Sequence, residues 1–117
     1  ARGLLTRPYD LDKDVKNLRQ QTDRHASMLI GPLTKEDVSI IGRVEELAKK
    51  KDCSMAQIAI VWCLVKGVNP ILGLSSMKRV DEATKAVVLY EEGLLTAEDV
   101  KYLDESYVPK DHLAHAW

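Results

Sequence analysis

The chain has 117 residues, 45% of them apolar, and its 17 basic side chains against 18 acidic ones leave a formal net charge of −1. That balance excludes a disordered tail and supplies no excess positive charge for nonspecific nucleic-acid binding. No apolar run approaches the roughly 18 residues of a membrane span; the longest, Ile58 to Val65, is the size of a core segment. Two cysteines, Cys53 and Cys63, are too few for the disulfide framework of a small secreted domain. The opening residues hold no apolar core of a secretory signal, so a cytoplasmic, reducing setting is the default expectation. Ala1 in place of Met points to sequence upstream. A chain of this length is expected to form a single domain.

Residues 1–33 read as irregular, with Gly3, Pro8, Gly31 and Pro32, scattered charges and a weak helical hint from Val15 to Leu18. About thirty residues without clear structure is long for a loop in a compact domain, and such loops are usually functional or disordered. Thr34 before Lys35-Glu36-Asp37 then sets a cap residue ahead of an acidic first turn. Val38, Ile41, Val44, Leu47 and Ala48 follow at helical spacing, with Arg43, Glu45, Glu46, Lys49 and Lys50 on the other side, and the helix is expected to end near Lys51. Ser54-Met55-Ala56-Gln57 is a capping box. It opens a second helix to about Lys66 that is apolar nearly all round and must therefore be covered on most sides. Gly67 fits its stop.

Pro70-Ile71-Leu72-Gly73-Leu74 is an apolar run with no alternation, the pattern of a short strand buried on both faces. Ser75 and Ser76 offer caps for a third helix to about Leu89, with Ser75 the favoured cap. Glu91-Glu92-Gly93 reads as a turn. Thr96-Ala97-Glu98-Asp99 starts a fourth helix that turns Val100 and Leu103 inward and runs to Pro109. The tail to Trp117 reads as irregular.

Four helices and one strand do not close on themselves. A lone strand leaves backbone N–H and C=O groups without partners, and burying each unpaired costs about 1–3 kcal/mol. The pattern therefore points to part of a larger α/β sheet or barrel. The plainer alternative makes Ile71 to Leu74 an extended linker in a helical domain.

The whole chain resembles the C-terminal third of an aldo-keto reductase, in the aryl-alcohol-dehydrogenase-like branch. Three stretches carry the likeness, and a shorter fourth agrees with them. Ala1-Arg2-Gly3-Leu4-Leu5-Thr6-Arg7-Pro8 resembles the segment after barrel strand 7. The Ser-x-x-Gln-x-Ala-x-x-Trp pattern from Ser54 to Trp62 resembles the family's extra helix and helix 7. Gly73-Leu74-Ser75-Ser76-Met77-Lys78-Arg79-Val80-Asp81-Glu82 resembles the last strand and the turn into helix 8, and Tyr107-Val108-Pro109 is similar to the close of the final helix. The resemblance implies one α/β domain, part of a (β/α)8 TIM barrel, helix-rich with one clear strand. Its parts are a loop after strand 7 at 1–33, a helix pair at 34–66, strand 8 at 69–75, and final helices and tail at 76–117.

The resemblance also implies an oxidoreductase that uses NADP(H) to reduce aldehydes or ketones. This segment would supply the adenosine and phosphate side of the cofactor site. Ser75, Arg79 and Glu82 fall where the family lays a Ser, an Arg or Gln, and a Glu against adenosine. A helix start offers free N–H groups and a positive dipole end to a phosphate. Arg79, four residues after Ser75, points to the same side and can hold the 2′-phosphate or stack on adenine. Glu82 can accept from the adenine amino group. Barrels of this class often bind phosphate in the loops after strands 7 and 8, so Ala1 and Gly3, which admit close backbone approach, form the other half with Gly73, and Arg7 and Arg24 are pyrophosphate candidates.

Two departures matter: the first removes an adenine contact and the second weakens the NADP preference. Ala83 replaces the Asn that often follows the Glu, and Gly73 and Ser76 stand where many members carry a Lys near the 2′-phosphate. The family's catalytic Tyr, Lys, Asp and His belong to strands upstream, and Tyr9, Tyr90, Tyr102 and Tyr107 do not sit in the motif of the catalytic Tyr. No catalytic residue is assigned here, and the chain alone is expected to be inactive.

Plainer readings stand beside each of these. Arg79 is also an ordinary solvated helix charge, and Glu82 can pair with it or with Lys78 for under about 1 kcal/mol. Trp62 and Cys63 are expected in the core, and Cys53 at the surface. His25, His112 and His115 could suggest a metal site, but His112 and His115 lie in the tail after Pro109 with no third ligand in sight, so no metal is expected. The helices at 35–51 and 55–66 have the outline of a helix-turn-helix, but a DNA reader needs polar side chains on its second helix, and this one offers Gln57, Lys66 and little else. Partners are therefore expected to be a small carbonyl substrate and the remainder of the barrel, without nucleic acid or membrane. The rival function is a non-catalytic, reductase-derived module acting by partner binding or by self-association through an exposed strand edge.

Overall fold

The computed structural model describes residues 1, 3–10 and 33–110. Among them are four helices: α1 (Lys35–Lys51), α2 (Met55–Val65), α3 (Met77–Glu91) and α4 (Ala97–Asp104). The weak helical hint at Val15 to Leu18, the candidate Arg24, the three histidines and the tail after Lys110 lie outside the described residues.

Each helix starts where its cap chemistry says it should. At α1 the Thr34 side chain accepts from the Asp37 N–H at 3.2 Å, while the Thr34 N–H donates to Asp37 at 2.9 Å. Ser54 and Gln57 make the same reciprocal pair at α2, at 3.1 and 3.0 Å, and Thr96 and Asp99 make it at α4, at 3.2 and 2.9 Å. Each exchange satisfies two backbone groups that a helix start leaves without partners. At α3 the cap is Ser76, whose hydroxyl accepts from the Arg79 N–H at 3.3 Å. Ser75, the favoured cap from sequence, lies one residue too early for that reach.

Gly67 and Gly93 follow the ends of α2 and α3 with φ of 74° and 73°. These left-handed positions close the helices, since glycine adopts them without the steric cost of a Cβ. Glu91, read as a turn residue, is the last residue of α3. The fourth helix stops at Asp104, well short of Pro109, and the chain turns there, with the Tyr107 N–H donating to the Asp104 carbonyl at 3.0 Å.

The core is small. Ile41, Val44, Leu47 and Ala48 of α1 meet Met55, Ile58 and Val61 of α2, Ala86 of α3, and Leu95 and Leu103 around α4. Helix α2 lies between α1 and α3, and α4 packs on α1. Ile58 and Val61 are the largest fully buried side chains. Yet α2 is not covered on most sides: Ala59, Ile60, Cys63 and Leu64 are half-buried and Val65 is exposed.

The expected strand at 69–75 is absent. Residues 68–75 have no regular secondary structure, and Ile71 is wholly exposed at 102%. A strand exists only by exchanging backbone hydrogen bonds with a neighbour, and no second strand runs beside this segment among the described residues.

Candidate functional site

A cavity of about 510 Å³ opens between α2, the start of α3, residues 70–74 and the first residues of the chain. Its α2 wall is Ala56, Ala59, Ile60 and Cys63. Positions i, i+3 and i+7 share one helix face, so the small residues Ala56, Ala59 and Cys63 leave a shallow concave stripe there. Gly3, at φ 80°, turns the opening segment so that Thr6 Oγ1 donates to its carbonyl at 2.9 Å.

Opposite lies the polar wall. Ser76 starts α3, and Arg79 and Glu82, three residues apart, present a cation and a carboxylate to the cavity beside Ala83. The Arg79 guanidinium makes no ion pair with a carboxylate among the described residues, so the surface pair with Glu82 that competes with a ligand role is not formed. Glu82 is half-buried. Its backbone carbonyl accepts from Gln57 Nε2 at 3.2 Å.

The structure thus brings together Ala1, Gly3, Gly73, Arg79 and Glu82 in one lining. Ser75 and Arg7 are exposed and adjoin it without lining it, and Arg24 lies outside the described residues. Thr6, Ile60 and Ile71 were not signalled by sequence, nor was the Ala56-Ala59-Cys63 stripe, although its helical spacing was there to be read. Cys63, expected to be an inert core thiol, is half-buried against the cavity instead. Cys53, expected at the surface, is half-buried on the core; burial and the neighbouring Asp52 carboxylate push its thiol pKa up, against a smaller pull from Lys51 and Lys85. Trp62 is half-buried as well, because its indole N–H reaches out to Asp104 Oδ1 at 2.8 Å.

The cavity's chemistry suits an adenine nucleotide. Its volume falls within the range usual for small-molecule sites. A guanidinium matches a phosphate, a carboxylate accepts from an exocyclic amine, and a wall of small apolar side chains admits a flat ring.

The aldo/keto reductase family model matches residues 1–108. The chain belongs to the aldo/keto reductase family. It is 46% identical over 112 residues to a versiconal hemiacetal acetate reductase of Aspergillus parasiticus, covering 94% of this chain and 31% of that protein. A putative aryl-alcohol dehydrogenase of Saccharomyces cerevisiae is 42% identical over 116 residues, covering 94% of this chain and 30% of its own. A chloroplastic pyridoxal reductase of Arabidopsis thaliana is 44% identical over 80 residues, covering 68% of this chain and 20% of that protein. The chain spans under a third of the length of these relatives. No solved structure gives a significant match. No helix among the described residues is long and apolar enough to cross a membrane.

Proposed function

We propose that this segment forms the adenosine and phosphate side of an NADP(H) site in a reductase of aldehydes or ketones. One observation carries the reading: residues far apart in the sequence, Ala1 and Gly3 on one side and Gly73, Arg79 and Glu82 on the other, line a single cavity. The reductase and dehydrogenase names of the relatives support an oxidoreductase, and the cofactor would supply the hydride when bound. Within the site, Arg79 holds the 2′-phosphate, Glu82 accepts from the adenine amino group, and the α2 stripe backs the ring. The N–H groups at the start of α3 add a favourable dipole end.

The same reading gives the exposed segment at 68–75 a purpose. Ile71, Leu72 and Leu74 present apolar surface that the remainder of the barrel would cover, and their backbone would then pair as a strand. The chain would also contribute part of the substrate-side loop.

Arg79→Ala in the full protein tests the assignment. Losing a charge-assisted contact to phosphate is expected to raise the KM for NADPH roughly tenfold or more and that for NADH under about threefold. Equal changes for both cofactors would remove the 2′-phosphate role.

A further inference from the structure

We infer that Gln57 is a positioning residue for this cavity, its amide tying the wall built by α2 to the wall built by α3. The inference rests on the cofactor reading above and concerns how Arg79 and Glu82 are held in place.

Gln57 is only 6% exposed, a buried polar side chain on an otherwise apolar helix. Both ends of its amide are used. Oε1 accepts from the Ser54 N–H at 3.0 Å, and Nε2 donates to the Glu82 carbonyl at 3.2 Å. The first bond is the capping box, for which Glu serves as well as Gln. The second needs an N–H donor, which a carboxylate lacks. The choice of Gln at this position is therefore explained by Glu82, not by the cap.

The tether adds direction to the packing. Ala86, a small residue with no exposed surface, is the sole buried residue of α3. Apolar contact is non-directional, and a side chain as small as that of Ala86 interlocks little with a neighbouring helix. A hydrogen bond is directional. The Gln57–Glu82 bond joins a residue next to Ala56, in one wall, to a residue of the other. It fixes the first two turns of α3, and with them the Arg79 and Glu82 side chains, against the α2 stripe.

The test uses the full protein and direct titration with NADPH and NADH, followed by protein fluorescence, beside thermal unfolding. Gln57→Glu keeps the cap acceptor and removes the tether. Gln57→Met removes both and decides the matter should the buried carboxylate prevent folding. Ser54→Ala weakens the cap and leaves the tether. Both Gln57 variants are expected to weaken NADPH binding roughly three- to tenfold, the scale of one lost hydrogen bond, while Ser54→Ala lowers Tm without changing Kd. In an Arg79→Ala/Glu82→Ala background, Gln57→Met should add no further loss of affinity. A Gln57→Met variant that loses Tm but keeps its NADPH affinity overturns the inference, as does a full additional loss in the double-variant background. If Arg79→Ala alone leaves NADPH affinity intact, the cofactor reading itself falls; if Arg79→Ala weakens binding and Gln57→Met does not, only the positioning role falls.

Discussion

Two faces of this molecule are built in different ways. Where α4 packs on α1, directional contacts accumulate. Arg43 Nη1 donates to the Tyr102 carbonyl at 2.6 Å and to Glu105 at 2.8 Å, while its guanidinium lies 4.4 Å from the Tyr102 ring centroid. Tyr102 Oη donates to Glu46 at 2.5 Å, which raises the phenol pKa, and the Ser39 and Ser106 hydroxyls share a bond at 3.1 Å. Asp104 receives both the Trp62 indole N–H and the Lys66 ammonium. Around residues 68–77 nothing comparable exists among the described residues, and Ile71, Leu72, Leu74 and Met77 face outward. A polar, satisfied rim is what a protein shows to water, whereas contiguous exposed apolar side chains mark a surface meant to be covered. The contrast separates a polar, satisfied rim from an uncovered apolar face, the side that the proposed barrel reading would bury.

The largest effects should test that contrast in hydrophobic terms. Ile58→Ala, at a fully buried position between α1 and α3, is expected to cost about 2–5 kcal/mol in urea unfolding of the full protein. Ile71→Ser is expected to cost about 2 kcal/mol or more in the same assay, despite its exposure here, because the barrel reading places it under other strands. A loss below about 0.5 kcal/mol, the usual limit for surface positions, would mean the segment stays in solvent. If that small loss came with a shift from oligomer to monomer in sedimentation, the self-associating module would become the better account of this face.

A middle-sized effect probes the polar face. Trp62→Phe keeps an aromatic six-membered ring and removes the pyrrole half with its N–H, so the bond to Asp104 is lost together with a little packing. The expected cost is about 1 kcal/mol, since the Lys66 ammonium still partners that carboxylate. Phe also weakens the cation–π contact with Lys66, whose ammonium sits 5.5 Å from the Trp62 ring. An unchanged urea midpoint would show that this rim adds specificity of packing without stability.

The helices were legible because their causes are local. Thr34, Ser54 and Thr96 each precede an acceptor three residues on, and Gly67 marks an end through its own backbone freedom. The strand expected at 69–75 did not form, because an apolar run alone supplies no neighbour for its backbone hydrogen bonds. Trp62 and Cys63 were misjudged for a related reason: hydropathy asks how apolar a side chain is, not which side of its helix is covered. In the candidate site, Arg79, Glu82, Gly73, Ala1 and Gly3, singled out by resemblance, share one cavity lining. The tether from Gln57 was not legible, since a capping box explains Gln57 fully until Glu82 is seen beside it.

The smallest effect lies in the acid limb of the stability curve. Asp99 caps α4 and pairs with Lys51 at 2.9 Å. Burial alone would raise its pKa, but the Thr96 backbone and hydroxyl bonds and the Lys51 ammonium outweigh it and hold the carboxyl below the ordinary value. Asp37 is lowered in the same way, its burial outweighed by Lys110 at 2.5 Å and by Thr34. A lowered pKa means that the unfolded chain takes up these protons first. The native state binds fewer protons between the two values, so stability rises with pH through that window. The contribution is complete above the ordinary aspartate value near pH 4 and is lost as pH falls through the lowered one. Asp99→Asn keeps an oxygen for the Thr96 N–H but cannot titrate. It should cost under about 1 kcal/mol at pH 7 and flatten the decline in stability below about pH 4. A variant that instead loses stability with the wild-type slope in acid would place the proton uptake on other carboxylates and leave Asp99 with a purely geometric role at the cap.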